Sequence, residues 1–318
     1  MHYDVFNGDA DGIISLLQLR LDKPLDARLI TGVKRDIQLL QTITTSDSDS
    51  LTVLDISMQK NHAALIGILE SGASVFYADH HQSGDIPSYP NLEAHIDLDA
   101  NSCTALIVDR LLGGKFTAWA ITAAYGDNLI AVADQMCSDI GLNDTQAEQL
   151  KELGTLINYN GYGQSVEQLH FHPAELYRKL LHYPSPFDVF SDTSSPYYAL
   201  KRAYDSDFKA AINLSAFRES GALRVFALPD AGFSHRISGV YGNWLANESP
   251  SQAHIVLTLT AEDTYSVSLR APLNNKQGAG SLCALFDTGG GREAAGGINI
   301  LPKHELDRLF NVVDEYYR

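Results

Sequence analysis

Short apolar runs alternate with longer segments of helical periodicity through the first 130 residues. Tyr3–Phe6, Ala27–Ile30, Leu51–Ile56 and Ala73–Tyr77 have strand length, and Gly12–Leu21, Val33–Ile43 and Asn61–Ser71 repeat apolar residues at helical spacing. This β-α-β-α order predicts an α/β fold with a doubly wound parallel sheet and helices on both faces. Ligands of such sheets bind beyond the carboxyl ends of the strands. Residues 101–182 read as mostly helical, looser around Asn158–Gly163. Pro184, Pro186 and Pro196, among several serines, cannot continue a helix and mark a boundary. Beyond it, Tyr197–Ser220 reads as a connecting helix, and Leu223–Leu228, Ala253–Thr260 and Tyr265–Arg270 read as strands of a smaller C-terminal α/β domain. The expected organisation is a first domain over 1–190, a linker and connecting helix over 191–220, and a second domain over 221–318.

Composition narrows the function. The 318 residues carry 39 Asp and Glu against 23 Lys and Arg, a formal charge of −16 at pH 7. A protein that grips long nucleic acid needs a basic stripe to neutralise successive phosphates, so this balance argues against long DNA or RNA as a partner. A hydrophobic fraction of 45% suffices for packed cores. Cys103, Cys137 and Cys283 are odd in number, far apart and without a CxxC pair, which fits core thiols in a reducing compartment rather than a disulfide framework or a zinc-thiolate site. The N-terminal segment carries acids where a signal peptide needs basic and apolar residues, and no run approaches the roughly 18 apolar residues of a membrane span. A cytoplasmic protein without a membrane partner is expected. Nothing in the sequence decides between a monomer and a homodimer.

Four acidic segments carry candidate chemistry. Asn7-Gly8-Asp9-Ala10-Asp11-Gly12 sits where the first strand turns into the first helix. Its two carboxylates and flanking glycines suit a hard divalent cation, and equally a helix N-cap. An EF-hand loop is excluded, because Gln18 falls where a bidentate Glu belongs and a strand precedes the segment. Asp55 closes the apolar strand Leu51–Leu54, a costly place for a charge unless something binds it, although a turn or cap role also fits. Asp79-His80-His81 again follows a strand, offering one imidazole to a metal, a carboxylate to orient it, and a second imidazole for a phosphate or a proton. Asp127, by itself, reads as a turn residue. Three of the four segments follow strands of one parallel sheet, so their side chains can converge as a binuclear metal site requires. Mostly oxygen ligands with one imidazole favour Mn²⁺, with Mg²⁺ the alternative.

These residues resemble the DHH phosphoesterases, named for the triplet seen here as Asp79-His80-His81. Asp9 and Asp11 match the first motif of that family, Asp55 the second, Asp79–His81 the third and Asp127 the fourth, in order along nearly the whole chain. Asn101-Ser102-Cys103-Thr104 resembles the Ser/Thr segment that follows the third motif, with Ser102 a candidate substrate contact. The resemblance implies two divalent cations in a cleft between the domains, Asp9 and Asp55 holding one, and Asp11, Asp55, His80 and Asp127 the other. It further implies that Asp79 orients an imidazole and that His81 contacts the scissile phosphate. Many members carry a histidine four residues before the first acid; here that position is Val5.

Near the C-terminus, Gly289-Gly290-Gly291-Arg292 combines backbone amides that can approach an oxyanion with a planar fork of donors for a phosphate or a guanine edge. No Gly-Lys-Ser/Thr follows, so a P-loop is not supported, whereas a glycine linker fits as well. The segment resembles the Gly-Gly-Gly-His loop of the DHH-associated domain, with Arg292 where His is usual, and Arg270 matches an arginine of the same domain. The resemblance implies a metal-dependent phosphodiesterase acting on short linear nucleotides, most sharply a 5′-phosphorylated dinucleotide such as pGpG. Single-strand exonuclease, cyclic-dinucleotide phosphodiesterase and 3′-phosphoadenosine-phosphate phosphatase are its alternatives, and a catalytically decayed nucleotide sensor is the alternative of another class.

Overall fold

The computed structural model describes residues 1–291 and 293–318, so Arg292 lies outside the described residues. They form two compact units, Met1–Ala203 and Tyr204–Arg318.

The first unit runs β1 (His2–Phe6), α1 (Ala10–Asp22), β2 (Arg28–Ile30), β3 (Ser50–Leu54), α2 (Met58–Glu70), β4 (Ser74–Asp79) and β5 (Leu92–Ile96). The helices α3 (Thr104–Leu111), α4 (Thr117–Gly126), α5 (Ile130–Asp139), α6 (Asp144–Asn160), α7 (Pro173–Leu180) and α8 (Asp188–Ser191) follow. Next comes α9 (Pro196–Ile212), within which the division between the units falls. The sheet is parallel throughout, in the order β2-β1-β3-β4-β5. Side chains alternate between its faces. Tyr3, Val5, Leu51, Val53, Val75 and Tyr77 pack with Met58, Leu65 and Ile68 of α2 on one face. On the other face Phe6 meets Tyr177 of α7, and α1, itself almost wholly buried, packs against α3, α4 and α6. Burial on both faces explains why the central strands read as continuous apolar runs.

The helix expected over Val33–Ile43 is replaced by loop and a short 3₁₀ turn, Leu39–Thr42. Asp36 Oδ2 accepts from the Val33 amide (3.0 Å), while Asn61 accepts from the Leu40 amide (3.2 Å) and donates to the Ile37 carbonyl (2.6 Å). Side chains therefore take the backbone groups that a helix would have paired. The strand β5 was not expected. It is a half-buried edge in which Leu92, Ala94 and Ile96 alternate with Glu93 and His95.

The second unit continues with β6 (Arg218–Glu219), β7 (Leu223–Leu228), α10 (Gly232–Glu248), β8 (Ala253–Ala261), β9 (Thr264–Arg270), α11 (Ala279–Cys283), β10 (Gly289–Gly291), β11 (Ala295–Pro302) and α12 (Leu306–Tyr317). Its sheet is mixed, ordered β10-β11-β9-β8-β7-β6, with β7 and β8 the parallel pair that α10 connects. One face packs Val225, Ile255, Leu257, Val267 and Leu269 against Phe310 and Val313 of α12 and Leu282 of α11. The connecting helix ends at Ile212 rather than Ser220: Asn213 Nδ2 takes the Lys209 carbonyl (2.7 Å), and the Phe217 amide pairs with Val225 (2.7 Å), drawing the chain into β6.

Candidate active site

Three neighbouring strands deliver the acidic residues. After β1 the chain turns through Asn7 and Gly8 into α1, with Asp9 as N-cap, its Oδ1 accepting from the Gly12 amide at 3.1 Å. Asp55 directly follows β3. Asp79 ends β4, and His80 and His81 come next. Adjacent parallel strands lie about 4.8 Å apart, so these three ends share one crevice. In the order β2-β1-β3-β4-β5 the winding reverses between β1 and β3, the switch point at which such sheets open a binding crevice. Asp127 arrives differently, as the C-cap of α4. The preceding Gly126 permits this, since a Cβ there would stand 2.5 Å from that of Ala10 and 2.9 Å from the Gly154 carbonyl.

His80 is built as a ligand. Its Nδ1–H donates to the Ser102 carbonyl (3.0 Å), which leaves Nε2 as the acceptor nitrogen. That atom lies 3.4 Å from Asp55 Oδ1, 3.7 Å from Asp11 Oδ2 and 3.9 Å from Asp127 Oδ2, too far for good hydrogen bonds and close enough to share a central ion. The two oxygens of Asp11 accept from the amides of Thr104 (2.8 Å) and Ala105 (2.7 Å), so the first turn of α3 fixes its carboxylate. Thr104 Oγ1 also donates to Asp55 Oδ1 (3.2 Å). Asp55 itself has φ +59°, a left-handed conformation that costs a residue with a Cβ about 1 kcal/mol and that Asp and Asn tolerate best. Strain at this one carboxylate, held beneath an imidazole, is what a site that must aim a ligand would retain. His81 Nδ1–H donates to Asp79 Oδ1 (2.7 Å), and its side chain is half-exposed. Asp79 Oδ2 is buried without a hydrogen-bond partner.

The electrostatics call for a cation. Burial, together with Asp11, Asp9, Asp79 and Asp127, pushes the Asp55 carboxyl well above the usual carboxylate range. Burial likewise pushes Asp127 up, Asp11 and Asp9 adding to the effect while Lys34 and His80 oppose it. Asp9 behaves oppositely: burial raises it, but Lys34, with Nζ 2.6 Å from Oδ2, brings it down to about 2. Asp55, His80 and His81 can each offer a ligand atom within 4.8 Å of the others. The crowding of carboxylates around a correctly tautomerised imidazole, with a buried carboxylate oxygen left unpaired, fits a hard divalent ion.

The structure thus brings Asp9, Asp11, Asp55, Asp79, His80, His81 and Asp127 together. Ser102 is present in another capacity: its hydroxyl donates to Asp97 Oδ2 (2.8 Å), and its carbonyl orients His80. Lys34, Thr104 and Asn158 were missed. Only Thr104 had a signal, its place in the Ser/Thr segment. In the second unit, the Arg270 guanidinium is engaged by Asn243 Oδ1 (2.6 Å), Ser268 Oγ (2.9 Å) and the Gly239 carbonyl (3.2 Å). Gly289–Gly291 form the edge strand β10 rather than an open loop, paired on one side with β11. Glycine is required at 289, where a Cβ would fall 1.8 Å from the Cys283 carbonyl. The tyrosines at 197, 198 and 204 pack as the helical spacing suggested, Tyr197 against Phe190 and Tyr198, and Tyr204 on Phe208. No described helix is long and apolar enough to cross a membrane.

No protein-family model and no curated protein matches the chain. Solved structures do. A structure of the exonuclease RecJ bound to manganese superposes with a TM-score of 0.59 at 15% identity, over 99% of this chain and 89% of that one. A pGpG-specific phosphodiesterase, PggH from Vibrio cholerae, gives 0.59 at 16% identity, over 100% of this chain and 99% of its own. This chain has the fold of these two structures. RecJ from Thermus thermophilus in complex with Mn²⁺ also gives 0.59 at 15% identity, with this chain spanning 52% of its length. That shared fold accounts for both the parallel sheet with its carboxyl-end crevice and the mixed sheet of the second unit.

Proposed function

We propose that the chain is a divalent-metal-dependent phosphodiesterase that cleaves short linear nucleotides, 5′-phosphorylated dinucleotides such as pGpG foremost, to mononucleotides. The observation that carries the reading is His80, whose Nδ1–H is committed to the Ser102 carbonyl while Nε2 faces three carboxylates at 3.4–3.9 Å. Asp11, Asp55, His80 and Asp127 would hold a cation, Mn²⁺ by preference. When bound, it polarises a phosphoryl oxygen and makes water a nucleophile near neutral pH. Water oxygen bonds to phosphorus, the ester P–O bond breaks, and the leaving oxygen takes a proton.

His81 is placed for that charge. Burial lowers its pKa, but the hydrogen bond to Asp79 and the nearby carboxylates carry it above the ordinary value, favouring an imidazolium that can face a phosphoryl or leaving oxygen. His81→Ala is expected to lower kcat about 100-fold while Mn²⁺ binding, read by calorimetry, is retained; loss of binding instead would make His81 a ligand. Because burial and the neighbouring carboxylates raise the pKa of Asp55 and of Asp127, protons compete with an ion for these oxygens, and Mn²⁺ affinity is expected to climb with pH and binding to release protons. Titrations in buffers of different ionisation enthalpy measure this, and a pH-independent affinity contradicts it.

The acidic balance favours short substrates, since a charge of −16 argues against a basic stripe for a long strand. A local cation reverses the sign only where the scissile phosphate sits. Substrate contacts from Arg270, Arg292 and the Gly289–Gly291 amides belong to the same proposal. Arg292→Ala is expected to reduce the preference for guanine over other dinucleotides, and an unchanged base profile rejects that role. A panel of dinucleotides, longer single strands, cyclic dinucleotides and 3′-phosphoadenosine phosphate, assayed with Mn²⁺, tests the substrate class; the dinucleotides should have the highest kcat/KM.

A further inference from the structure

Lys34 stands beside Asp9, where the resemblance to the DHH phosphoesterases implies a second cation. Its Nζ lies 2.6 Å from Asp9 Oδ2, 3.6 Å from Asp127 Oδ1 and 3.2 Å from Asn158 Oδ1, and 5.5 Å from the centre of the Tyr162 ring. The backbone around it is also held. The Lys34 amide donates to the Gly161 carbonyl (2.9 Å), and its own carbonyl accepts from Asn7 Nδ2 (3.3 Å). The residue is therefore fixed at both ends, by the turn carrying Asp9 on one side and by the end of α6 on the other. Asp9 has little left to offer an ion, because Oδ1 accepts from the Gly12 amide and Oδ2 is paired with the ammonium. The imidazole that would complete a site beside Asp9 is absent as well: Val5 is fully buried in the apolar cluster between β1 and α2.

We propose that Lys34 serves as a built-in replacement for one metal ion, so that this chain binds a single divalent cation at Asp11, Asp55, His80 and Asp127. A divalent ion on Asp9 Oδ2 would sit at about 2.0–2.2 Å, against an ammonium 2.6 Å from the same oxygen, and the two like charges would repel. Lys34 brings one positive charge and three donors on a flexible stem. It satisfies Asp9 and can turn a proton toward a phosphoryl oxygen without a second ion having to be acquired. Two observations, the ammonium on Asp9 and the buried Val5 where many DHH members carry a histidine, point to the same cation position.

The inference rests on the metal-dependent reading above, and Mn²⁺ stoichiometry separates the two. Wild-type protein stripped of metal and titrated with Mn²⁺ should bind one ion per chain by calorimetry, with the electron paramagnetic resonance spectrum of an isolated ion. Lys34→Met, which keeps the stem and removes the charge, should admit a second ion and show the spectrum of a spin-coupled pair, whereas Lys34→Arg should stay at one. Two coupled ions in the wild type overturn the replacement while leaving metal dependence intact. No Mn²⁺ bound by folded wild type overturns both. The wild-type count decides the matter even where Lys34→Met does not fold.

Discussion

Asp55→Asn should abolish turnover, lowering kcat on the order of 10³-fold, and should leave the metal-free fold at least as stable as wild type. Asp55 is the carboxylate nearest the lone-pair nitrogen of His80 and is fixed by Thr104. Its amide analogue keeps the size of the side chain and tolerates φ +59°, so the backbone has no reason to move. What changes is charge. In wild type, burial and four neighbouring carboxylates raise the Asp55 pKa, so its contribution to metal-free stability is fully present below the unfolded value of 3.8 and is lost as pH rises through the folded value. Asn does not titrate, and the stability gap in its favour should widen with pH. Thermal melts in chelator between pH 4 and 8, beside single-turnover assays with Mn²⁺, test both halves; full activity in the Asn variant contradicts the role given to Asp55.

The opposite dissociation is expected of Asp4→Ala, with stability lost and chemistry kept. Asp4 is buried on β1, where Arg20 of α1 donates Nε to its Oδ2 at 2.9 Å and Nη2 to its other oxygen. Arg20 Nη2 also reaches Thr52 Oγ1 (3.1 Å) and lies beside His2 Nε2 (3.2 Å). Removing the carboxylate leaves a buried guanidinium without its counter-charge, at a cost of about 3–5 kcal/mol. For a domain of this size that corresponds to roughly a 10 °C fall in Tm. Asp4 takes its ion pairs from Arg20 and His2 rather than from the acidic cluster around His80, so kcat per folded molecule should match wild type. A fall under about 1 kcal/mol would mean that water or His2 compensates the guanidinium.

The sheet was legible because parallel strands buried on both faces leave uninterrupted apolar runs, and an acid closing such a run, as Asp55 does, stands out. The cluster around His80 was legible for the same reason, each member being tied to a strand end or to a motif in register. Three features were not. The segment after β2 has the apolar spacing of a helix, yet Asn61, distant in sequence on α2, captures its Leu40 amide and Ile37 carbonyl. Periodicity carries no signal for that competition. β5 was hidden by Glu93 and His95, polar positions that an edge strand tolerates and a central one does not. Lys34 lies in a loop, flanked by no motif, and reaches Asp9 and Asp127 only because Gly161 and Asn7 fix its backbone. Arg270 and the glycines stood out in the sequence by residue type, while their surroundings did not: in the folded unit the guanidinium also joins β9 to α10, and the glycines pair on one side with β11 along an edge.

The most direct measurement is hydrolysis of a 5′-phosphorylated dinucleotide by purified protein with Mn²⁺ in ¹⁸O-enriched water, products resolved by mass spectrometry. Two mononucleotides should form, the phosphate released from the ester carrying one ¹⁸O. Chelator and Asp55→Asn should each suppress the reaction. Recovery of intact, unlabelled dinucleotide from folded, Mn²⁺-loaded wild type would contradict the assignment and leave a nucleotide-binding protein without catalysis.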